Sequence, residues 1–157
     1  MLTNADMPPV DRLPPAPDAP VRSPAVSVVG EVEERVPGLS GGPVLEARIH
    51  DLASADRVVV LCHPHPLYGG SMHSPVPLVI AKILAEKALS RVAWARFNFR
   101  GVGASTGSYD NGRGEVDDAL AILARMRAAA PTARAGGLGW NKGSMRTVPV
   151  KCSAGPF

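Results

Sequence analysis

Three of the chain's four histidines lie in one short turn, and a serine farther along the chain stands in a Gly-x-Ser-x-Gly pattern. The histidines are His63, His65 and His73, in a Pro- and Gly-rich segment that we call the histidine turn (residues 63–73), and the serine is Ser105. Imidazoles serve as general bases, hydrogen-bond donors or metal ligands, and a serine can act as a nucleophile when a base lies beside it. No carboxylate or further histidine stands at ligand spacing, so the sequence predicts no metal site.

The histidine turn is positioned by the elements on either side of it. Residues 58–62 are five consecutive apolar residues, which predicts a strand buried on both faces, as in a parallel sheet. Ser74 and Pro75 are typical of a helix start, and apolar residues at intervals of three and four predict a helix over 75–89. The predicted apolar face consists of Val76, Val79, Ile80, Ile83, Leu84 and Ala88. Because ligands of open α/β sheets bind at the carboxyl ends of the strands, this turn is the best site candidate.

The remaining patterns predict an α/β fold with a mostly parallel sheet. Residues 26–36 and 44–49 have strand character and are separated by Pro and Gly residues, which predicts a leading β-hairpin. A strand over 92–99, a glycine-rich loop over 100–114 and a helix from about Glu115 complete two βα units. The glycine-rich loop is therefore expected at the same edge of the sheet as the histidine turn.

Only residues 26–131 are predicted to form a domain. Residues 1–25 contain seven prolines and no apolar period, which predicts a disordered Pro-rich leader. Residues 132–157 contain no acidic residue and no strand or helix period, so an irregular tail without a further strand is expected. This abrupt change of composition suggests that the tail is out-of-frame coding.

The basic residues are concentrated near the end of the chain. The net charge is +3, but residues 1–118 carry 11 Lys and Arg against 14 Asp and Glu, while residues 119–157 carry 6 basic residues and no acid. Without a basic stripe, and with 4% aromatic residues, a nucleic-acid partner is not expected. The absence of a signal-peptide pattern and of a long apolar run predicts no membrane contact and a cytoplasmic location. Cys62 is expected to be a small core residue, and no cofactor is predicted.

Two longer motifs stand in order around these elements. Residues 61–72 read Leu-Cys-His-Pro-His-Pro-Leu-Tyr-Gly-Gly-Ser-Met, and residues 96–105 read Arg-Phe-Asn-Phe-Arg-Gly-Val-Gly-Ala-Ser. Together they resemble the amino-terminal half of the α/β-hydrolase superfamily, in particular small bacterial predicted serine hydrolases with a His-Pro-His-Pro oxyanion-type loop. The resemblance extends from about residue 28 to about residue 130 and implies a partial α/β-hydrolase fold.

The resemblance implies that the histidine turn supplies half of an oxyanion hole. The residues of this loop that are candidates for the role are His63, His65, Tyr68 and Gly69. Neither Pro64 nor Pro66 can donate, because proline has no N–H. The expected donor is the backbone N–H of His65, ahead of those of Leu67 and Tyr68. An amide fixed there would stabilise the negative charge of a tetrahedral intermediate.

Ser105 is interpreted as a chance match to the nucleophile motif. In the fold that the chain resembles, the nucleophile elbow lies directly between a strand and a helix. Ser105 instead lies six residues past Phe99 and ten before Glu115. The elbow is due shortly after Arg134, and the sequence there contains neither the elbow nor the acid and histidine that follow it in this fold. A turn residue is the expected role of Ser105.

The expected function is that of a hydrolase-family protein that is inactive as this chain, because the nucleophile and the rest of the triad are missing. By resemblance, the substrates would be small molecules with ester or acyl-type bonds. The alternatives are a non-catalytic truncated or frame-shifted fragment and a small binding module. A half-sheet exposes an apolar face and a strand edge, so self-association through that edge is expected. Among other residues, Arg100 is expected to pair with Asp110 or Glu115, and His50 is expected at the surface.

Overall fold

Six strands and two helices make up the computed structural model, which describes residues 26–50, 53–87, 91–141 and 144–148. In chain order the strands are β1 (Val32–Pro37), β2 (Val44–His50), β3 (Arg57–Leu61), β4 (Val92–Phe97), β5 (Arg134–Asn141) and β6 (Ser144–Val148). Helix α1 (Pro75–Glu86) connects β3 to β4, and helix α2 (Arg113–Ala129) connects β4 to β5. The predicted leader, residues 1–25, lies outside the described residues. Neither described helix combines the length and apolar character needed to cross a membrane.

The strands form one mixed sheet in the order β1-β2-β4-β3-β5-β6. Strand β3 pairs in parallel with both β4 and β5, and the other neighbours pair antiparallel. The predicted fold class is therefore confirmed, with a leading hairpin followed by two βα units. The hairpin joins the sheet beside β4 rather than beside β3. This leaves β3 in the interior between two parallel partners, where a continuous apolar strand is most stable.

Both faces of β3 are covered, as its unbroken apolar run predicts. On one face, Val60 packs in the same cluster as Met126 of α2. On the other face, Leu61 packs with Trp94 of β4 and Ala81 of α1. Because β3 and β4 are parallel neighbours, the loops that follow them lie together at the carboxyl edge of the sheet.

Helix α1 buries only part of the face that the sequence predicts. Ile80 and Leu84 pack against the core, but Val79 is 51% exposed and Ile83 is 46% exposed, whereas Pro77 and Ala81 are buried. The prediction is wrong for Val79 and Ile83 because nearly every position of this helix is apolar, so the apolar period does not select one face. Ala81 packs in the same cluster as Trp94, where its small side chain leaves room for the indole. The helix is also described only to Glu86, and residues 88–90 lie outside the described ranges.

The expectation that no strand follows Pro131 is also wrong. Strand β5 pairs with β3 from Arg57 opposite Arg134 to Leu61 opposite Leu138, and β6 then pairs with β5. The prediction relied on an alternation of apolar and polar side chains, but backbone hydrogen bonds to the open edge of β3 do not require it. The glycine-rich composition of this segment removes that alternation without removing its N–H and C=O groups. The out-of-frame origin of residues 132–157 stays a prediction.

Candidate functional site

The histidine turn and the glycine-rich loop lie side by side at the carboxyl edge of β3 and β4. The Met72 N–H donates to Asn98 Oδ1 at 2.8 Å, and Asn98 Nδ2 donates to Glu46 Oε2 at 2.7 Å. The same oxygen of Glu46, on β2, accepts the Ala104 N–H at 2.8 Å. Asn98 and Glu46 therefore fasten the two loops to each other and to the sheet.

The histidine turn reverses the chain within a single 3-10 turn, Pro66–Tyr68. Gly69 closes it with a φ of 75°, a left-handed conformation that favours glycine. At Gly70 an added Cβ would overlap the carbonyl oxygen of Pro64, so the chain can pass there only without a side chain. The Pro and Gly residues thus hold one backbone shape from Pro64 to Gly70.

Most amides of this turn are already used by the turn itself. The Leu67 N–H donates to His65 Nδ1 at 3.3 Å, and the N–H groups of Tyr68 and Gly70 both donate to the His65 carbonyl, at 3.1 and 3.3 Å. The Gly69 N–H donates to the Pro66 carbonyl. Within the part of the chain that the structure describes, the His65 N–H has no acceptor. The donor favoured by the sequence is the one that the turn leaves available, whereas those of Leu67 and Tyr68 are occupied.

His63 is a buried structural link rather than a base. Its Nδ1 lies 2.6 Å from the Pro64 carbonyl oxygen, and its Nε2 accepts the Phe99 N–H at 3.1 Å. These partners require the proton on Nδ1, because Nε2 must keep its lone pair. Burial lowers the pKa of His63 to about 4, so the ring is neutral at pH 7. His63 therefore joins the end of β3 to the end of β4.

The His65 side chain is exposed and lies between two tyrosines. Its ring centroid is 5.1 Å from that of Tyr68 and 5.0 Å from that of Tyr109. Its Nε2 is 2.9 Å from the Tyr109 hydroxyl, which belongs to the glycine-rich loop. Tyr68 is 88% exposed, and Leu67 beside it is 67% exposed. An exposed apolar and aromatic patch thus adjoins the available amide.

Ser105 is 8% exposed and both of its hydrogen-bonding roles are filled. Its hydroxyl donates to the Asn98 carbonyl at 2.7 Å and accepts the Glu46 N–H at 2.9 Å. Neither bond involves a histidine, so no base stands ready to remove the hydroxyl proton. These contacts are those of a residue that holds the glycine-rich loop against β2.

A buried ion pair contacts the histidine turn, and the sequence analysis did not predict it. The side chains of Arg96 and Glu31 are both fully buried and meet at 2.7 Å. Arg96 also donates to the Met72 carbonyl at 3.1 Å, while Trp94 Nε1 donates to Glu31 at 3.2 Å. An arginine inside the apolar strand 92–99 is the signal that could have indicated a buried partner, because a buried charge requires pairing.

Two of the minor predictions need correction. Arg100 pairs with Asp118 at 2.8 Å, not with Asp110 or Glu115, because Asp118 lies one helical turn further along α2 and also accepts the Arg100 N–H. Glu115 instead accepts the Asp110 N–H at the start of α2. His50 is half-buried rather than at the surface, since its ring stacks on Trp94 with centroids 3.8 Å apart.

Each histidine of the turn has its own partners, and they do not converge. His73 Nδ1 lies 3.4 Å from Arg96 Nη1, and burial followed by the positive charge of Arg96 lowers the His73 pKa. In the described ranges no three side chains among His, Cys, Asp and Glu come together in a way that could hold a metal ion. Cys62 packs against the core, and burial raises the pKa of its thiol to about 12.

Comparison with known proteins identifies the architecture. No known family model matches the chain. An uncharacterised protein of Rickettsia prowazekii (strain Madrid E) is 43% identical over 77 residues, which are 49% of this chain and 31% of that protein. A crystal structure of an α/β serine hydrolase without lid from Xanthomonas campestris matches with a TM-score of 0.57 and 33% identity. An α/β serine hydrolase homologue from Coxiella burnetii matches with a TM-score of 0.54 and 35% identity.

These matches confirm the resemblance that the two motifs carry. Each of the two solved structures covers 70% of this chain, while the chain covers 50% of each of them. The chain thus spans about half the length of these structures and about a third of the Rickettsia protein. Its described residues have the architecture of the amino-terminal half of an α/β serine hydrolase.

Proposed function

We propose that this chain, folded as the amino-terminal half of an α/β-hydrolase domain, supplies the oxyanion-binding amide of a serine hydrolase that acts on ester or acyl-type substrates. The donor is the backbone N–H of His65. The observation that carries the proposal is that this N–H has no acceptor among the described residues, although the turn around it uses the amides of residues 67–70. It lies between two prolines, which have no N–H of their own.

An oxyanion hole stabilises the transition state through preorganised donors. An amide that is held in place before the reaction stabilises the developing oxyanion without reorganising, which is worth about 3–4 kcal/mol for one such donor. The turn restricts such reorganisation, because Pro64 and Pro66 fix their own φ angles and the amides of residues 67–70 are hydrogen-bonded within the turn. The site also lies at the carboxyl ends of β3 and β4, the edge at which α/β sheets bind their ligands.

We further propose that the chain by itself does not turn over esters. In this fold the nucleophile elbow joins a strand to a helix, whereas β5, the strand parallel to β3 after α2, continues into the antiparallel strand β6. The Gly-x-Ser-x-Gly pattern occurs twice in the sequence. At residues 38–42 it lies in the connection between two strands, β1 and β2, and around Ser105 the serine hydroxyl is occupied. The β5–β6 hairpin also favours the second candidate function, a small binding module that recognises an anionic or carbonyl group without chemistry.

The amide is tested with two substitutions at the same position. His65→Ala removes the ring and keeps the N–H, whereas His65→Pro removes both, and the His65 φ of −51° lies within the range that proline adopts. The probe is n-butylphosphonate, a tetrahedral anion that mimics the charged intermediate. Binding is followed by two-dimensional amide NMR of the 15N-labelled chain and by the 31P line width of the probe.

The proposal predicts that the His65 amide resonance shifts on titration with the phosphonate. The His65→Ala variant should still bind, more weakly than the wild type, and the His65→Pro variant should not bind. Equal binding by the two variants, or a shift confined to amides away from residues 64–70, would contradict the proposal.

A further inference from the structure

The His65 ring is held by both of its nitrogens, and this fixes where its proton lies. Nδ1 accepts the Leu67 N–H at 3.3 Å, so it must carry a lone pair. In the neutral ring the proton is then on Nε2, which donates to the Tyr109 hydroxyl at 2.9 Å. The two bonds therefore select one tautomer and one ring orientation.

Within the described structure, the bond to Tyr109 is also the hydrogen bond that ties residues 65–70 to another part of the chain. The other hydrogen bonds of residues 65–70 in the described structure stay inside residues 65–70. Three of them end on His65 itself, at Nδ1 or at the carbonyl oxygen. Most hydrogen bonds within residues 65–70 therefore converge on His65, the residue whose own N–H is available, and the Leu67 N–H depends on the orientation of the ring.

Tyr109 stands on a loop that is itself well anchored. Thr106 exchanges two hydrogen bonds with Val44 of β2, through its N–H at 2.9 Å and its hydroxyl at 2.8 Å. One residue beyond Tyr109, the Asp110 N–H donates to Glu115 at 2.9 Å. These contacts on both sides hold Tyr109 in place, so its hydroxyl can orient the His65 ring.

We propose that Tyr109 is a positioning residue that holds the His65 ring as the Nε2–H tautomer and thereby aims the His65 amide at the oxyanion. This inference rests on the proposed function for its catalytic meaning. The effect of Tyr109 on the His65 tautomer can be measured without a substrate. Tyr109 acts through His65 and is not itself a catalytic residue.

The chain offers a matched pair of variants for the test. Tyr109→Phe keeps the ring beside His65 and removes the hydroxyl that bonds to it. Tyr68→Phe also removes a hydroxyl from a ring about as close to His65, but in the described structure that hydroxyl bonds to nothing. The measurements are the ring tautomer, from long-range 1H–15N correlations, and hydrogen exchange of the Leu67 amide.

In the wild-type chain the proposal predicts the Nε2–H tautomer and slow exchange at Leu67. Tyr109→Phe should give mixed tautomers and exchange at Leu67 that is about fivefold faster, the factor expected from one ordinary hydrogen bond. Tyr68→Phe should leave both observables unchanged, and amides of β3 should be unaffected in both variants.

A wild-type ring with its proton on Nδ1, no change in Tyr109→Phe, or equal changes in both variants would overturn the assignment of Tyr109. Weaker binding of n-butylphosphonate by Tyr109→Phe but not by Tyr68→Phe would support the link to the oxyanion amide. Failure of the wild-type chain to bind the phosphonate would contradict the proposed function, while tautomer and exchange decide the role of Tyr109 independently.

Discussion

Replacing Glu31 by Gln should be among the most destabilising single changes in this chain. The Glu31 carboxylate accepts three hydrogen bonds from Arg96 and one each from Trp94 Nε1 and the Val28 N–H. Glutamine offers one acceptor oxygen and presents an NH2 group, a donor, where Arg96 or Val28 needs an acceptor. Both side chains of the ion pair are fully buried, so the cation of Arg96 would stay in the interior without its counter-charge.

Removing one partner of a buried pair costs about 3–5 kcal/mol, so we expect the free energy of unfolding to fall by about that amount. Urea unfolding followed by far-UV circular dichroism at pH 7 measures the change. Asp56→Asn is the matched control, because Asp56 forms a comparable pair with Arg91 that is exposed on both sides. Its effect should be much smaller than that of Glu31→Gln. A Glu31→Gln variant within 1 kcal/mol of the wild type would refute the argument that Glu31 and Arg96 hold the first described segment against β4.

Three further predictions concern single residues. Burial holds the pKa of His63 at about 4, against 6.5 in the unfolded chain, so the unfolded chain binds a proton first as the pH falls. The free energy of unfolding should therefore decrease by about 3 kcal/mol between pH 7 and pH 4. Urea titrations over this range should show a smaller decrease in His63→Gln, and parallel curves for the two proteins would contradict the prediction. Gly114→Ala improves helix propensity but puts a Cβ where the Arg100 guanidinium lies, so Arg100 must leave its place beside the buried carboxylate of Asp118. Urea titration should therefore show a loss of about 1–3 kcal/mol, and a more stable variant would contradict this. Cys62, whose thiol pKa is raised to about 12 by burial, should resist iodoacetamide at pH 8 in the folded chain and react in urea, as read by peptide mass spectrometry; rapid alkylation of the folded chain would contradict the burial.

Features with strong local signals were predictable from the sequence. Strand β3 is an unbroken apolar run, and the residues after it are Pro and Gly, which restrict the backbone whatever surrounds them. The availability of the His65 amide could be anticipated for the same reason, since the prolines on both sides have no N–H.

Features that depend on distant partners were not predictable in the same way. Glu31 and Arg96 are separated by 65 positions, and Glu31 was assigned to a strand although it lies just before β1 as a counter-ion. The buried face of α1 includes Ala81, which packs with Trp94 of β4, and the apolar period of the helix alone did not indicate that contact. Strand β5 depends on the open edge of β3, which accepts backbone hydrogen bonds from a segment without strand alternation.

The Tyr109–His65 contact illustrates both cases. The histidine was singled out by its place in the turn, but its partner is 44 residues away on the glycine-rich loop. That loop was predicted at the same edge of the sheet, so the neighbourhood could be inferred from topology. The specific pair of atoms could not, because it depends on how Thr106 and Asp110 fix the loop.

The most direct test of the central claim, an oxyanion-type site without a nucleophile, is labelling of the purified chain with a fluorophosphonate, which reacts with activated serines of serine hydrolases. We expect that the intact mass of the chain does not change and that p-nitrophenyl butyrate turnover is the same for the wild type and Ser105→Ala. A fluorophosphonate adduct on Ser105, together with turnover that Ser105→Ala abolishes, would contradict it.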